Sequence, residues 1–256
     1  MLLTVDIGNT NISIGGFEQT ETEPIFVARF LTEPRKTDDQ YAMAISQLLE
    51  LYKIDRTAVQ DIIICSVVPE LSNTLRQAFC KVTGITPMLL GPGVKTGLNI
   101  RIDNPAQLGS DLVAGAVAAL ATYPLPCIVF DLGTATTIGV IDKNGCYAGG
   151  MICAGVTLNL QALADRTALL PHINIDTPKT IIGTNTIHCM QSGAVHGTAA
   201  MIDGIAERIE AELGQPVTLV ATGGLASVIV PACNKTVHLN EHLLLKGLRM
   251  IYEKNR

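Results

Sequence analysis

Two short segments of the chain carry residue types that can bind phosphate. They are DIGNT at 6–10 and DLGTATT at 131–137, and each places an aspartate, a glycine and hydroxyl side chains close together. Glycine lets a backbone N–H approach a phosphate closely, hydroxyls can donate to phosphate oxygens, and carboxylates can hold the cations that neutralise phosphate charge. The hydroxyls and carboxylates belong to Asp6, Thr10, Asp131, Thr134 and Thr137.

The two segments repeat one pattern. Asp6 aligns with Asp131 and Gly8 with Gly133, 125 residues apart, which is about half of the 256-residue chain. One such turn could be an ordinary hairpin, but two matching turns at this spacing indicate an internal duplication. If the turns face each other, they would clamp the β- and γ-phosphates of a nucleotide. Clamping and positioning make up most of phosphoryl-transfer catalysis.

The elements that must position these turns follow the same repeat. Each half opens with three predicted strands, at 2–8, 11–17 and 26–31 and again at 126–133, 136–142 and 146–155. Further strands are predicted at 61–68, 88–91 and 216–224, and helices at 37–53, from 69, at 104–123, 156–166, 186–213 and after 240. The order predicts an α/β fold with two lobes, 1–115 and 116–256, and a ligand cleft between them. It leaves open that the terminal helix packs back across the lobes.

A third glycine turn, ATGGLA at 221–226, follows a buried strand in the second half. The pair Gly223 and Gly224 could pass under an adenine or ribose, although a glycine pair after a strand is often only a turn. The segment GPGVKTG at 91–97 lacks the adjacent Gly-Lys-Ser/Thr of a P-loop, so it is interpreted as a connecting loop.

The bulk composition excludes several classes of partner. The net charge is −5 without a basic cluster, which makes nucleic acid a poor partner. No apolar stretch reaches the roughly 18 residues of a membrane span, and no signal-peptide pattern follows Met1. Seven scattered cysteines without a C-x-x-C pair indicate reduced thiols rather than a zinc site. We therefore expect a cytoplasmic protein without membrane or nucleic-acid partners.

The three turns, in this order, resemble those of the acetate kinase/sugar kinase/Hsp70/actin superfamily. Together with NPAQLGSD at 104–111, GGMICAG at 149–155 and NTIHCMQSGAVHGTAAMIDG at 185–204, they are similar to motifs of type III pantothenate kinases over essentially the whole chain. The resemblance implies an actin-like ATPase fold built from two duplicated ribonuclease H-like lobes. It also implies ATP-dependent phosphorylation of pantothenate to 4'-phosphopantothenate, the first step of coenzyme A biosynthesis.

The resemblance further implies roles for individual residues. Asp111 would be the general base, Asp6 would hold magnesium through water, and Asp131 would hold a monovalent cation, K⁺ or NH₄⁺. From the sequence alone, Asp111 could instead be an acid that stabilises a helix start. Contacts to ATP are implied for Asp6, Gly8, Asn9, Thr10, Gly133, Thr134, Thr137, Gly223 and Gly224. Contacts to the acceptor are implied for Gly109, Ser110, Asp111 and Thr186, the last from the partner subunit of a homodimer joined through 186–213.

Three positions depart from the family pattern. Leu112 replaces an arginine that would pair with the pantothenate carboxylate, Ile102 replaces a tyrosine and Ala154 a proline. Arg101 or Arg166 could compensate from elsewhere in the chain. The departures leave two alternatives open. One is a nucleotide-binding regulatory or accessory paralogue without kinase activity, and the other is a kinase for a related acceptor that lacks the carboxylate.

Overall fold

The structure, a computed structural model, describes all residues from 1 to 256. The chain divides into two compact units, each containing one sheet. The first unit comprises Met1–Leu98, Asp103–Ala118 and His242–Arg256, and the second comprises Asn99–Ile102 and Ala119–Glu241. Residues 242–256 therefore belong to the first unit, whereas the division made from sequence had placed them with the second half.

The secondary structure alternates strands and helices in both units. The strands are β1 (Leu2–Ile7), β2 (Asn11–Phe17), β3 (Phe26–Leu31), β4 (Asp61–Ser66), β5 (Met88–Leu89), β6 (Asn99–Ile100), β7 (Cys127–Leu132), β8 (Ala135–Ile141), β9 (Cys146–Ala154), β10 (Thr218–Thr222) and β11 (Val237–Leu239). The helices are α1 (Asp38–Leu51), α2 (Pro69–Thr83), α3 (Ser110–Thr122), α4 (Val156–Arg166), α5 (Thr186–Leu213), α6 (Ala226–Ile229) and α7 (Leu243–Asn255). No helix is both long enough and apolar enough to cross a bilayer.

The two sheets share one strand order, which is the structural form of the sequence repeat. The first runs β3-β2-β1-β4-β5 and the second β11-β10-β7-β8-β9-β6, so each central strand lies between an antiparallel neighbour and a parallel one. The predicted duplicated α/β fold is thereby confirmed.

The central strands are apolar because both of their faces are covered. In β1 the side chains of Leu3, Val5 and Ile7 are buried, and in β4 the run Ile62–Cys65 is buried without interruption. Parallel strands covered on both faces show such continuous apolar runs. Asp6 and Asp131 interrupt these runs near the carboxyl ends of β1 and β7, where a buried charge needs a functional or structural partner.

Local sequence signals set most helix starts. Thr37 and Gln40 form a reciprocal capping box at the start of α1, and Pro69 occupies the first turn of α2. The helix predicted at 104–123 is interrupted, however. Pro105–Gln107 forms a single 3-10 turn capped by Asn104, Leu108 is extended (φ −70°, ψ 122°), and α3 begins only at Ser110. The break makes Asp111 a first-turn residue of a new helix.

Candidate functional site

The first Asp-x-Gly turn is held rigid by the end of β3. The Gly8 N–H donates to the Asn11 carbonyl at 3.0 Å, and the Thr32 hydroxyl donates to the Gly8 carbonyl at 2.6 Å. The Thr32 N–H donates to the Thr10 carbonyl at 2.9 Å. Asn9 and Thr10 lie exposed on the turn, so a fixed backbone presents the polar groups that the sequence assigned to phosphate.

Asp6 lies between two polar cross-strand neighbours, Ser13 on β2 and Cys65 on β4. The Cys65 thiol donates to Asp6 Oδ1 across 3.2 Å. Burial, and then the nearby Asp6 carboxylate, raise the pKa of the Cys65 thiol well above its ordinary value. Cys65 is therefore a neutral donor to Asp6. The sequence identified it only as a buried thiol, although it occupies the same strand-end position in 61–68 that Asp6 occupies in 2–8.

Asp111 lies in the first turn of α3 and is partly buried. Burial raises the pKa of its carboxyl, and the Leu112 N–H donates to its Oδ1 at 2.8 Å, which acts against that rise. A Cβ at Gly109 would lie 2.4 Å from Asp111 Oδ1, so only glycine leaves room for the carboxylate. The geometry gives a carboxylate that accepts a proton more readily than an exposed aspartate does.

A pair of hydrogen bonds fixes the start of α3 to the end of β4. The Ser110 hydroxyl donates to the Ser66 carbonyl at 3.0 Å and accepts from the Ser66 N–H at 3.2 Å. Because β4 pairs with β1, this tether holds the helix start that carries Asp111 at the sheet edge where Asp6 lies. Ser110 thus has a clear positioning role, and its predicted contact with the acceptor stays a prediction. Ser66 was not identified from sequence.

The second unit repeats the arrangement around Asp131. Its cross-strand neighbours are Thr137 on β8 and the buried Thr222 on β10. Gly223 follows Thr222 with φ +94°, and a Cβ there would lie 2.6 Å from Asp131 Oδ1. The glycine turn therefore lies directly against the aspartate, and Gly224 is exposed beside it. Only glycine allows this approach.

The second Asp-x-Gly turn is closed from behind by Gly155, the N-cap residue of α4. Its N–H donates to the Thr134 carbonyl at 3.1 Å, and a Cβ at Gly155 would lie 2.2 Å from that oxygen. The same Cβ would lie 2.5 Å from the Gly133 carbonyl oxygen. The sequence had included Gly155 in a motif without giving it a role, and only the structure shows that it supports the turn.

The remaining predicted residues lie on exposed or half-buried positions. Thr186 is exposed at the start of α5, where Asn185 caps the helix by accepting from the His188 N–H at 3.0 Å. Leu112 and Ile102 are half-buried. Arg101 is exposed, and its Nη1 lies 3.9 Å from Asp142 Oδ2, a separation typical of a weak surface pair.

Neither unit contains a ready-made metal cage. Nowhere in the chain do three or more His, Cys, Asp or Glu side chains group closely enough to enclose a metal ion. Magnesium often binds through one or two carboxylates, retains several waters and takes its other ligands from substrate phosphates. A single half-buried carboxylate such as Asp6 fits that mode of binding.

Comparison with known proteins identifies the family and the fold. The profile described as type III pantothenate kinase matches residues 2–208. A type III pantothenate kinase from Exiguobacterium sp. is 41% identical over 256 residues, covering 100% of both chains. A second one, from Halalkalibacterium halodurans, is 42% identical over 255 residues and also covers 100% of both chains.

Among solved structures, the activator of the 2-hydroxyisocaproyl-CoA dehydratase from Clostridium difficile, with bound ADPNP, superposes with a TM-score of 0.51 at 14% identity. The match covers 99% of this chain and 95% of that one. At this identity the likeness concerns the fold alone, which is the actin-like fold expected from the repeat. With the matches of the preceding paragraph, it shows that the chain belongs to the type III pantothenate kinase family.

Proposed function

We propose that the protein transfers the γ-phosphoryl group of ATP to the terminal hydroxyl of pantothenate, giving 4'-phosphopantothenate and ADP. The observation that carries this proposal in a member of this family is the placement of Asp111. It is a partly buried carboxylate with a raised pKa on a helix start that is tethered to the strand beside β1. The same reaction is the first step of coenzyme A biosynthesis.

Asp111 acts as the general base in the proposed reaction. The acceptor hydroxyl loses its proton to the Asp111 carboxylate as its oxygen forms a bond to the γ-phosphorus. The bond from that phosphorus to the β–γ bridging oxygen breaks, and ADP leaves with the electron pair. A positioned base typically contributes about 10²–10⁴ in rate, and a carboxyl whose pKa is raised by burial is the more basic for it.

The two glycine-rich turns bind the nucleotide in this proposal. The phosphates contact the turns at 8–10 and 133–137, and the adenosine lies against Gly223 and Gly224. Asp6 holds magnesium through water and Asp131 holds a monovalent cation, K⁺ or NH₄⁺. Support comes from the tied backbone of the first turn and from the close approach of Gly223 to Asp131. When bound, the cations supply positive charge that offsets the charge of the phosphates.

We further propose a homodimer that forms through the second unit. Four aliphatic side chains in that unit are at least two-thirds exposed, Ile152, Leu169, Ile181 and Ile182. They precede α5, in the same part of the chain as Thr186, which is predicted to reach the acceptor of the partner subunit. Exposed apolar side chains clustered along one segment are typical of a protein–protein interface. Analytical ultracentrifugation of the protein and of Ile182→Asp tests the dimer.

The proposed location is the cytoplasm. All seven cysteines are free, and four of them are at least partly exposed or accessible at intermediate burial. Unpaired thiols of this kind persist where glutathione and thioredoxin keep them reduced. Fractionation of cells that express the tagged protein would test the location, and recovery in a membrane or secreted fraction would contradict it.

One assay tests the reaction and its alternatives together. Purified protein is incubated with ATP, Mg²⁺, K⁺ and pantothenate, and the products are identified by mass spectrometry. Phosphopantothenate is expected. Nucleotide binding without transfer to pantothenate or to its uncharged amide would support an accessory protein, and transfer to the amide alone would indicate an acceptor without the carboxylate.

The Leu112→Arg variant asks how the acceptor carboxylate is recognised. A charge-assisted hydrogen bond is worth about 1.5–3 kcal/mol. If the pocket leaves space for the family arginine, KM for pantothenate falls about tenfold or more, while KM for the amide is unchanged. An equal KM for both acceptors in both proteins would show that this position does not contact the carboxylate.

A further inference from the structure

Cys65 occupies a special place in the first unit. It is fully buried at the second-last position of β4, and its register partner on β1 is Asp6. Its thiol donates to Asp6 Oδ1 at 3.2 Å. The preceding residues of the strand, Ile62–Ile64, are all aliphatic. Cys65 is therefore the point at which an apolar strand offers a hydrogen-bond donor to a carboxylate.

The duplicated frame carries a donor at the equivalent place in the second unit. Thr222 on β10 is the register partner of Asp131 on β7, and it is buried. The two side chains differ in chemistry, a thiol and a hydroxyl, but each can donate one hydrogen bond. A donor on the parallel neighbour is thus found beside each aspartate of the repeat.

We propose that Cys65 is a positioning residue for phosphoryl transfer, whose thiol orients the Asp6 carboxylate toward the hydrated cation that accompanies ATP. The inference rests on the proposed function only in that Asp6 serves the cation of the nucleotide. It does not depend on which acceptor is phosphorylated. A hydrogen bond to one carboxylate oxygen restricts rotation of the group, and the orientation of a carboxylate that holds a metal is commonly fixed in this way.

The competing explanation is that Cys65 only fills space, since buried cysteine behaves as a small hydrophobe. The two explanations predict opposite orders for isosteric substitutions. Threonine and valine have nearly the same shape, and only threonine donates a hydrogen bond. Serine and alanine pose the same question with smaller side chains, in case β-branching is not accommodated.

The experiment measures nucleotide binding by calorimetry for the Cys65→Thr, Cys65→Val, Cys65→Ser and Cys65→Ala variants, without any acceptor. We expect Cys65→Val and Cys65→Ala to weaken MgATP binding about three- to tenfold, because an ionised group loses a donor. Cys65→Thr or Cys65→Ser should stay within about twofold of the unsubstituted protein. With EDTA in place of magnesium, the difference between donor and non-donor variants should disappear.

Several outcomes would overturn the inference. It fails if Cys65→Val binds MgATP as tightly as the unsubstituted protein, if the hydroxyl variants are the weaker of each pair, or if the deficit persists unchanged with EDTA. Cys127 is the control, because it is equally buried on β7 and its register partners are Ile141 and Thr218 rather than an aspartate. The same substitutions there should not separate by donor ability.

This design keeps the inference distinct from the proposed function. If pantothenate is not phosphorylated but the donor effect on MgATP binding is present, the inference about Cys65 stands and only the acceptor assignment fails. Thermal denaturation of each variant accompanies the binding measurement. A variant pair that is equally stable but differs in MgATP affinity supports positioning, and a pair that differs in stability alone supports packing.

Discussion

The two units build the same corner of a sheet and use it differently. We call the carboxyl ends of β1 and β4 the first corner and those of β7 and β10 the second corner. Each has an aspartate on one strand and a buried donor, Cys65 or Thr222, at its register partner. The following residue is Ser66 in the first corner, where it tethers α3, and Gly223 in the second, where it lies against Asp131.

The difference shows how a duplicated frame acquires two tasks. A serine at this position offers both backbone groups to Ser110, and so it holds the helix start that carries the proposed base. A glycine with positive φ removes the side chain and leaves an exposed turn at Gly224. A single residue after an otherwise equivalent strand thus separates a corner that positions chemistry from one suited to a nucleotide.

The largest expected effect concerns the base in the first corner. Asp111→Asn keeps the shape and removes the proton acceptor, so kcat should fall by about 10²–10⁴. Binding of MgATP should stay within about twofold, because the second corner is intact. Steady-state kinetics and calorimetry on one preparation measure both, and turnover near that of the unsubstituted protein would remove Asp111 from the mechanism.

The second corner should be sensitive to any side chain at Gly223. Gly223→Ala adds a Cβ 2.6 Å from Asp131 Oδ1 at φ +94°, so strain of about 1–3 kcal/mol combines with a clash. We expect ATP affinity to fall at least about tenfold.

Gly214→Ala is the matched control for that change. Its φ is +66°, and a Cβ there meets nothing within 4 Å. It should cost some stability and leave ATP affinity unchanged. If both variants lose ATP affinity equally, the close approach to Asp131 is not what matters.

The tether between Ser66 and Ser110 should have a moderate effect. Ser110→Ala leaves two backbone groups of Ser66 without their partner, which costs about 1–3 kcal/mol. Because α3 loses its fixed start, kcat should fall several-fold while KM for ATP hardly changes. Ser72→Ala, which removes a 3.4 Å hydrogen bond within α2, controls for loss of a serine. An unchanged kcat in Ser110→Ala would make the tether purely structural.

The smallest effect concerns pH and stability. Burial raises the pKa of Asp111 above its ordinary value of 3.8, so between these values the folded state binds more protons than the unfolded state. The contribution of this carboxyl to stability is therefore full below 3.8 and is lost as pH rises through the folded-state pKa. At neutral pH, Asp111→Asn should be slightly more stable than the unsubstituted protein, and the gap should close on acidification. Urea unfolding at several pH values measures it, and a gap that widens in acid would contradict this account.

The repeat made the fold predictable. Because Asp6 and Asp131 head identical patterns at half-chain spacing, the strand–turn–strand units and the duplicated α/β fold followed from local periodicity. The partners of these aspartates could not follow in the same way. The contact between Cys65 and Asp6 depends on the register of two parallel strands that are far apart in sequence, and no local pattern encodes that register.

The boundaries of α3 and of the first unit show a second limit. Asn104 and Pro105 are genuine helix-start signals, yet they begin one short turn, and the extended Leu108 ends it before α3 starts at Ser110. The membership of α7 in the first unit is decided by packing on β1 and β4, which sequence signals for a helix do not report. Tertiary contacts override local propensity in both cases.

The close approach of α7 to α3 has a consequence for how the protein is made. A Cβ at Gly247 would lie 1.8 Å from the Ala114 carbonyl, so α7 packs directly on the helix that begins with Asp111. During translation, residues 1–118 leave the ribosome well before 242–256 exist, and the first unit must wait for them. The second unit, which needs only 99–102 and 119–241, can complete its contacts earlier. The half that is synthesised first is then the last to finish folding, and its proposed base reaches its final surroundings only when α7 docks.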